Sequence, residues 1–241
     1  INTLGKLLQA ASGVEVRREV LIAGLEREEE HWLLRDSGGS SQGLFDVVIT
    51  TAPAPQAMQI LRASEITEPL QTTLLDALRV SRYHAQFSFI LGYDDSLSPS
   101  RGFHALVNSD GGHAVSWLSF EEDKPGHVPL GSSVLVVQMS PSWTSRRVEY
   151  PPEDILPEIL ENVRALLPEV EQMPDWWDSQ RWMLASPRSA VDLESLRTGE
   201  KESLFFAGDG LCGSGRVPLA ISSGLESARR VRAKIESPPD A

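Results

Sequence analysis

The chain has 241 residues, 41% of them hydrophobic and 23% charged, and 22 Lys and Arg against 34 Asp and Glu leave a formal net charge of −12 at pH 7. That charge argues against nucleic acid and anionic membranes as partners, and its plain reading is solubility. No apolar run approaches the ~18 residues of a membrane span, no signal-peptide pattern opens the chain, and the lone Cys212 excludes an internal disulfide and fits a reducing, cytoplasmic setting.

Asn2 to Ala11 has helical spacing, with Leu4, Leu7 and Leu8 as the apolar face and Asn2 as a candidate N-cap. Val14-Glu15-Val16 begins a strand, and Val20 to Leu25, His31 to Arg35 and Phe45 to Thr50 read as three more. The charged connections Glu26 to Glu30 and Asp36 to Gly43 are turn-like, which makes a three-stranded antiparallel meander. The run Glu26-Arg27-Glu28-Glu29-Glu30 reads as a solvated hairpin. The buried strand ending at Thr50 exits into the proline-stiffened Thr51-Ala52-Pro53-Ala54-Pro55, and a helix from Gln56 to Leu61 follows.

From Leu70 the composition shifts. Leu74 to Leu78 is helical, and Tyr83 to Gly92 alternates as a strand with Ala85, Phe87, Phe89 and Leu91 on one face. Phe103 to Asn108, His113 to Phe120 and Ser132 to Met139 are further strands, split by Gly111-Gly112 and by Pro125 to Gly131. Pro152 to Leu167 is a helix that buries Ile155, Ile159, Leu160, Val163 and Leu167, and Ser179 to Ala185 is a last strand. The pattern is a mostly antiparallel sheet with a covering helix.

The C-terminal stretch carries the chemistry. Leu204 to Ala207 is a short apolar strand, Gly208-Asp209-Gly210 breaks it, a turn runs through Gly213 and Gly215, and Val217 to Ile235 is one helix. Pro218 fits there because a first-turn N–H has no intrahelical partner. Leu219, Ala220, Ser223 and Gly224 form a small-residue face. Converging backbone N–H groups and the helix dipole make such a corner a site for an anion or a polar ring edge. An ordinary strand–turn–helix corner with glycines for packing is the other reading. Gly208, Gly210 and Gly213 spell G-x-G-x-x-G, but no second strand with an acidic residue follows before Ser237-Pro238-Pro239-Asp240, so a nucleotide fingerprint is rejected here.

Leu204 to Asp209 and Gly215 to Gly224 resemble the C-terminal flavin-binding motif of FAD-dependent amine oxidases, a strand of the type LFFAGD leading into a helix of the type GRVxxAxxSG. The resemblance implies FAD as cofactor. It puts Asp209, beside Gly208, at the ribityl or pyrophosphate region, and the backbone of Gly215, Arg216, Val217, Pro218 and Leu219 toward the flavin and its phosphates. FDVVITTAPAPQA resembles the strand and loop that return the chain to the dinucleotide-binding domain in the same family, where Gly13 to Val16 would pass the adenine end, Val16 reading the ring through its backbone. A meander that merely packs on a sheet is the alternative. SRYHAQFSFILGYD, SFEEDKPG, SPSWTSRRVEYPPEDI and SQRWMLASP follow the order and spacing of the renalase-like branch, with Trp143-Thr144-Ser145 and Arg181-Trp182 its most specific elements. One departure is Leu184, where that branch usually carries a Tyr.

The implied fold is α/β with an α+β part: a partial FAD/NAD(P)-binding Rossmann-like domain from residues 1–62 and 195–241, with an inserted antiparallel-sheet substrate domain from 63–194. The implied reaction passes a hydride from a small reduced substrate to flavin N5, with dioxygen reoxidising the cofactor and no dedicated base implied. Residues 1–100 contain no strand–G-x-G-x-x-G–helix unit. The chain is therefore expected to be a fragment, binding FAD weakly by itself, with self-association or a partner chain covering its sheet. A non-catalytic remnant or interaction module that binds no FAD is the alternative.

Other chemistry has little support. There is no G-x-S-x-G elbow. None of His31, His84, His104, His113 and His127 stands four residues from another, so no metal site is expected. Tyr83 and His84 are retained as substrate-pocket candidates and Trp182 as the aromatic nearest the flavin. Trp176-Trp177 beside Pro174 reads as a packing corner.

Overall fold

The computed structural model describes residues 2–97 and 102–236; Ser237-Pro238-Pro239-Asp240 lie outside them. The chain divides into two units. One takes the residues up to Val80, Val191–Leu211 and those from Pro218 on; the other takes Ser81–Ala190 and Cys212–Val217.

In the first unit, α1 (Asn2–Ser12) stops at Gly13, whose φ of 68° takes it out of the helix while its N–H donates to the Gln9 carbonyl at 3.2 Å. Leu4, Leu7 and Leu8 on the expected apolar face are exposed. The strand expected at Val14–Val16 does not form. Arg17, paired with Glu15 at 2.8 Å and donating to the Gln42 carbonyl at 2.7 Å, holds this segment as a loop. A three-stranded antiparallel meander does form, from β1 (Ile22–Glu28), β2 (His31–Asp36) and β3 (Ser41–Phe45) in the order β1-β2-β3, but its third strand is built largely from the stretch expected as the turn Asp36–Gly43 rather than from Phe45–Thr50. Its charged hairpin turns at Glu29, φ 52°. Arg35 hydrogen-bonds Glu26 across the ladder at 2.8 Å, which holds that carboxyl below its usual range against some loss of hydration. Leu25, Trp32 and Leu33 are buried.

Two helices, α2 (Ala54–Arg62) and α3 (Glu68–Arg79), pack on one another, and the end of α2 lies on β1. A Cβ on Gly24 would stand 2.8 Å from the Ala63 carbonyl, so only glycine admits that approach. Leu25 N–H then donates to Ser64 Oγ at 2.9 Å, and Glu65 N–H to the Leu25 carbonyl at 2.7 Å. Because α3 packs on α2, the first unit runs to Val80 rather than ending at residue 62, and it resumes at Val191 rather than 195, where the short α6 (Leu193–Leu196) lies on α3.

Of the strand expected over Phe45–Thr50, only Phe45 belongs to β3 and only Val48–Thr50 forms a strand of its own. β3 ends at Phe45, and Asp46, bonded to His31 Nε2 at 3.1 Å, stands at the bend between them. β4 (Val48–Thr50) leaves the meander and pairs parallel with β10 (Leu204–Phe206), Val48 opposite Leu204 and Thr50 opposite Phe206. A backbone edge can serve only one neighbour, so the chain bends where it changes sheet.

The second unit is a five-stranded antiparallel sheet. β5 (Tyr83–Tyr93), β6 (Ala105–Val107), β7 (Val115–Phe120), β8 (Ser133–Met139) and β9 (Trp176–Pro187) stand in the order β6-β7-β8-β5-β9. As the alternation predicts, Phe87, Phe89 and Leu91 face a core with Leu118, Leu135 and Val137, closed by Ile159 and Val163 of α5 (Pro152–Leu166). Burying each such side chain contributes roughly 1.5–3 kcal/mol. The five-residue α4 (Pro141–Ser145) drives Trp143 and Thr144 into this core, where Thr144 Oγ1 accepts from Phe87 N–H at 3.2 Å. Trp143 donates to Glu158 at 2.7 Å, and Arg147 grips the same carboxylate with both arms while lying 4.5 Å over the indole. Trp176 and Trp177, expected at a corner, open β9 instead: Trp177 packs on Phe89, and Trp176 covers Gly92 across the ladder.

Candidate cofactor and substrate site

In the first unit, β4 and β10 run parallel and stop together, and Ala207 N–H adds a last bond to the Thr50 carbonyl at 3.0 Å. Ligands of parallel sheets bind off the carboxyl ends of the strands, so the loops that begin at Thr51 and Gly208 are the place to look. Gly208 has φ 129°, which an L side chain rarely adopts, and its Cβ position lies 3.5 Å from the Thr51 carbonyl, so the two loops adjoin. Its N–H donates to Ser223 Oγ of α7 (Val217–Glu236) at 3.0 Å. Asp209 opens a 3₁₀ turn through Leu211 and is half-buried.

The first turn of α7 carries no acidic residue, Arg216 precedes it in the chain, and Pro218 is its second residue. The other first-turn N–H groups have no intrahelical acceptor, and the dipole adds partial positive charge. The far end of α7 is tied down by Arg230 on Glu200 and by Lys234 on the Lys201 carbonyl. N–H donors in a first turn without an acidic residue, an approach without side chain at Gly208 and an acceptor at Asp209 fit the polyhydroxyl and phosphate portion of a flavin nucleotide.

Gly213 and Gly215 do different work. Both belong to the second unit, where a Cβ on Gly213 (φ 65°) would stand 2.6 Å from Ala190 N and one on Gly215 2.6 Å from Ser186 Cβ. These two glycines let the turn seat against the chain leaving β9, as the packing reading expects. Ser186 is the register partner of His84, Pro187 of Tyr83 and Trp182 of Gln86. The sheet therefore brings the turn carrying Gly215, Arg216 and Val217 to the end where Tyr83 and His84 stand, with Trp182 next along the same ladder. Tyr83 and His84 are half-buried, and Trp182 is 51% exposed. Hydrogen bonds from Ser81 Oγ to the Ser189 carbonyl and from Arg82 N–H to Ser189 Oγ, both 3.0 Å, hold this end closed.

Val16 is not among the residues at the strand ends. It sits on the loop after α1, between Glu15 and Arg17, which line a recess of about 290 Å³ against Phe45 and Leu34 of the meander. Without a strand there is no regular backbone edge at this position. Sequence reasoning passed over Ser223, taken as a small packing residue, and Gln86, whose place on the polar side of the β5 alternation was the available signal. Among the described residues no three His, Cys, Asp or Glu side chains group to hold a metal, and no helix is long and apolar enough to cross a membrane.

Several solved structures share this architecture. A putative protoporphyrinogen oxidase from Exiguobacterium sp. 255-15 matches 97% of this chain and 51% of its own at 18% identity, with a TM-score of 0.69. Cyclohexylamine oxidase from Brevibacterium oxydans matches 91% of this chain and 49% of its own at 17% identity and a TM-score of 0.64. Reduced UDP-galactopyranose mutase matches 98% and 51% at 11% identity and 0.69. The chain thus spans about half the length of the structures it matches, and at these identities the likeness is one of fold. The profile described as flavin containing amine oxidoreductase matches residues 2–232, nearly the whole chain. The protein belongs to the flavin-containing amine oxidoreductase family, with FAD as its cofactor.

Proposed function

We propose that the first unit is the flavin-holding half of an FAD-dependent oxidoreductase and the second its substrate half, and that the activity is of the renalase-like kind. The observation that carries the reading is the pair of parallel strand ends at Thr50 and Phe206, opening into Gly208, Asp209 and an α7 first turn free of acidic residues. In this reading Asp209 accepts from a hydroxyl of the ribityl chain, the α7 N–H groups bind phosphate oxygens, and Gly208 keeps the approach free of side chain. FAD, when bound, supplies the redox chemistry by accepting a hydride from a substrate carbon. Tyr83, His84 and Trp182 form an aromatic wall on the substrate side, and no general base is assigned. The renalase-like detail is supported by the quoted segments around Trp143 and Arg181, with Leu184 as the departure. Two of the structural relatives, the putative protoporphyrinogen oxidase and the cyclohexylamine oxidase, are oxidases, which agrees with substrate oxidation.

Titration of the purified chain with FAD, followed by the flavin band near ~450 nm, tests the site. Asp209→Ala should weaken binding on the order of 10- to 100-fold, the worth of a charge-assisted hydrogen bond. An unchanged affinity removes Asp209 from the site. No FAD binding by any form of the chain would favour the non-catalytic remnant.

A further inference from the structure

The outer face of the β5–β9 ladder carries a fixed hydrogen-bond acceptor beside an exposed aromatic ring. Phe87 points into the core, so its neighbour Gln86 points to the opposite face, directly across from Trp182. Gln86 Nε2 donates to the Met139 carbonyl at 3.1 Å and to Ser116 Oγ at 3.2 Å. Since a carbonyl can only accept, the nitrogen must be the inward atom, which settles the orientation of the amide. Ser116 Oγ in turn donates to the Gln138 carbonyl at 3.0 Å, so the tether is itself tied. Both N–H donors are engaged inward, and the remaining atom, Oε1, makes no hydrogen bond among the described residues and is not sealed from solvent.

We infer that Gln86 is a substrate-recognition residue, its Oε1 accepting a hydrogen bond from an N–H of a ring-bearing substrate stacked on Trp182. This deepens the reading of the β5–β9 end as the substrate side and rests on it. The acceptor is an amide oxygen held by two anchors, so it selects for an N–H donor over a group that has none. The ligand class is a planar ring carrying an N–H donor. A ketone of the same shape offers no donor, leaves Oε1 facing carbon, and should bind less well.

Nuclear magnetic resonance on the ¹⁵N-labelled full chain tests this with benzamide and acetophenone, which share a ring and differ in the N–H donor. Benzamide should shift the Gln86 side-chain amide and the Trp182 indole resonances together and bind roughly three- to ten-fold tighter than acetophenone. Gln86→Met, which keeps the length and removes the acceptor, should abolish that preference. Ser116→Ala, which frees one tether and leaves the acceptor in place, should reduce it only in part, and its unaltered spectrum elsewhere would show that the fold is kept. Equal binding of the two probes, shifts mapping away from Gln86 and Trp182, or a preference that survives Gln86→Met would each overturn the inference. FAD titration of the same samples separates the two readings. Normal flavin binding with no benzamide preference sinks only the role of Gln86, whereas loss of both removes the substrate-side reading beneath it.

Discussion

Tyr93 closes β5 with its ring in the core and its hydroxyl buried, without a hydrogen-bond partner among the described residues. Burial raises the phenol from its ordinary 10 to about 12, with Arg164 acting slightly against the shift and Asp175 with it. The folded state therefore holds this proton more tightly than the unfolded chain, so stability is lost as pH rises from about 10 toward 12. Tyr93→Phe removes the unpaired hydroxyl and keeps the ring. Urea unfolding should show the variant equal to or more stable than the parent by about 1 kcal/mol at neutral pH. Its stability should also fall less steeply between pH 10 and 12. A destabilised variant would mean that the hydroxyl has a partner, such as an internal water.

At the level of single elements, α5 contains a contradiction. Its apolar spacing buries Ile155, Ile159, Leu160 and Val163, yet Pro157 stands inside it with no N–H to offer the carbonyl one turn back. Packing and the Arg147–Glu158–Trp143 network hold the helix together through that gap. Pro157 is exposed, so Pro157→Ala restores a backbone bond without disturbing the core. The urea midpoint should rise, by roughly 1–3 kcal/mol of stability after allowing for the freer unfolded chain. A fall would show that the proline shapes α5 to fit the sheet.

At the scale of the whole molecule, the chain passes four times between its two units, at 80/81, 190/191, 211/212 and 217/218. The first unit contains a sheet of only two strands, β4 and β10, whose outer edges are unpaired among the described residues. Such a pair is marginal by itself, and free edges recruit further strands. We propose that association covers them, and sedimentation velocity of the 241-residue chain should show an average mass that climbs with concentration above the 26.5 kDa of one copy. Ile49→Lys, at an exposed position of β4, should lower that tendency. A single 26.5 kDa species at every concentration would rule the proposal out.

Much of this protein was readable from its sequence because the signals were local. Two-residue alternation marked β5, flanking glycines and prolines marked β8, helical spacing marked α5, and the glycine-interrupted stretch from Leu204 to Gly224 marked the candidate cofactor corner. Each depends on neighbours within a few positions, where backbone geometry and side-chain polarity act directly. Tertiary structure decided whatever depended on a distant partner. The run Phe45–Thr50 looks like one strand until Leu204–Phe206, more than 150 positions on, claims its second half. Val14–Val16 has strand-forming residues but no partner edge, and a strand without a partner leaves its N–H and C=O groups to water. The glycines after Phe206 look alike in sequence. Only the Thr51, Ala190 and Ser186 backbones packed against them show that Gly208 leaves room at the strand ends while Gly213 and Gly215 admit another chain segment. Gln86 became a candidate only when β7 and β8 were folded beside it, because an amide's free atom is known once its other atom is bound.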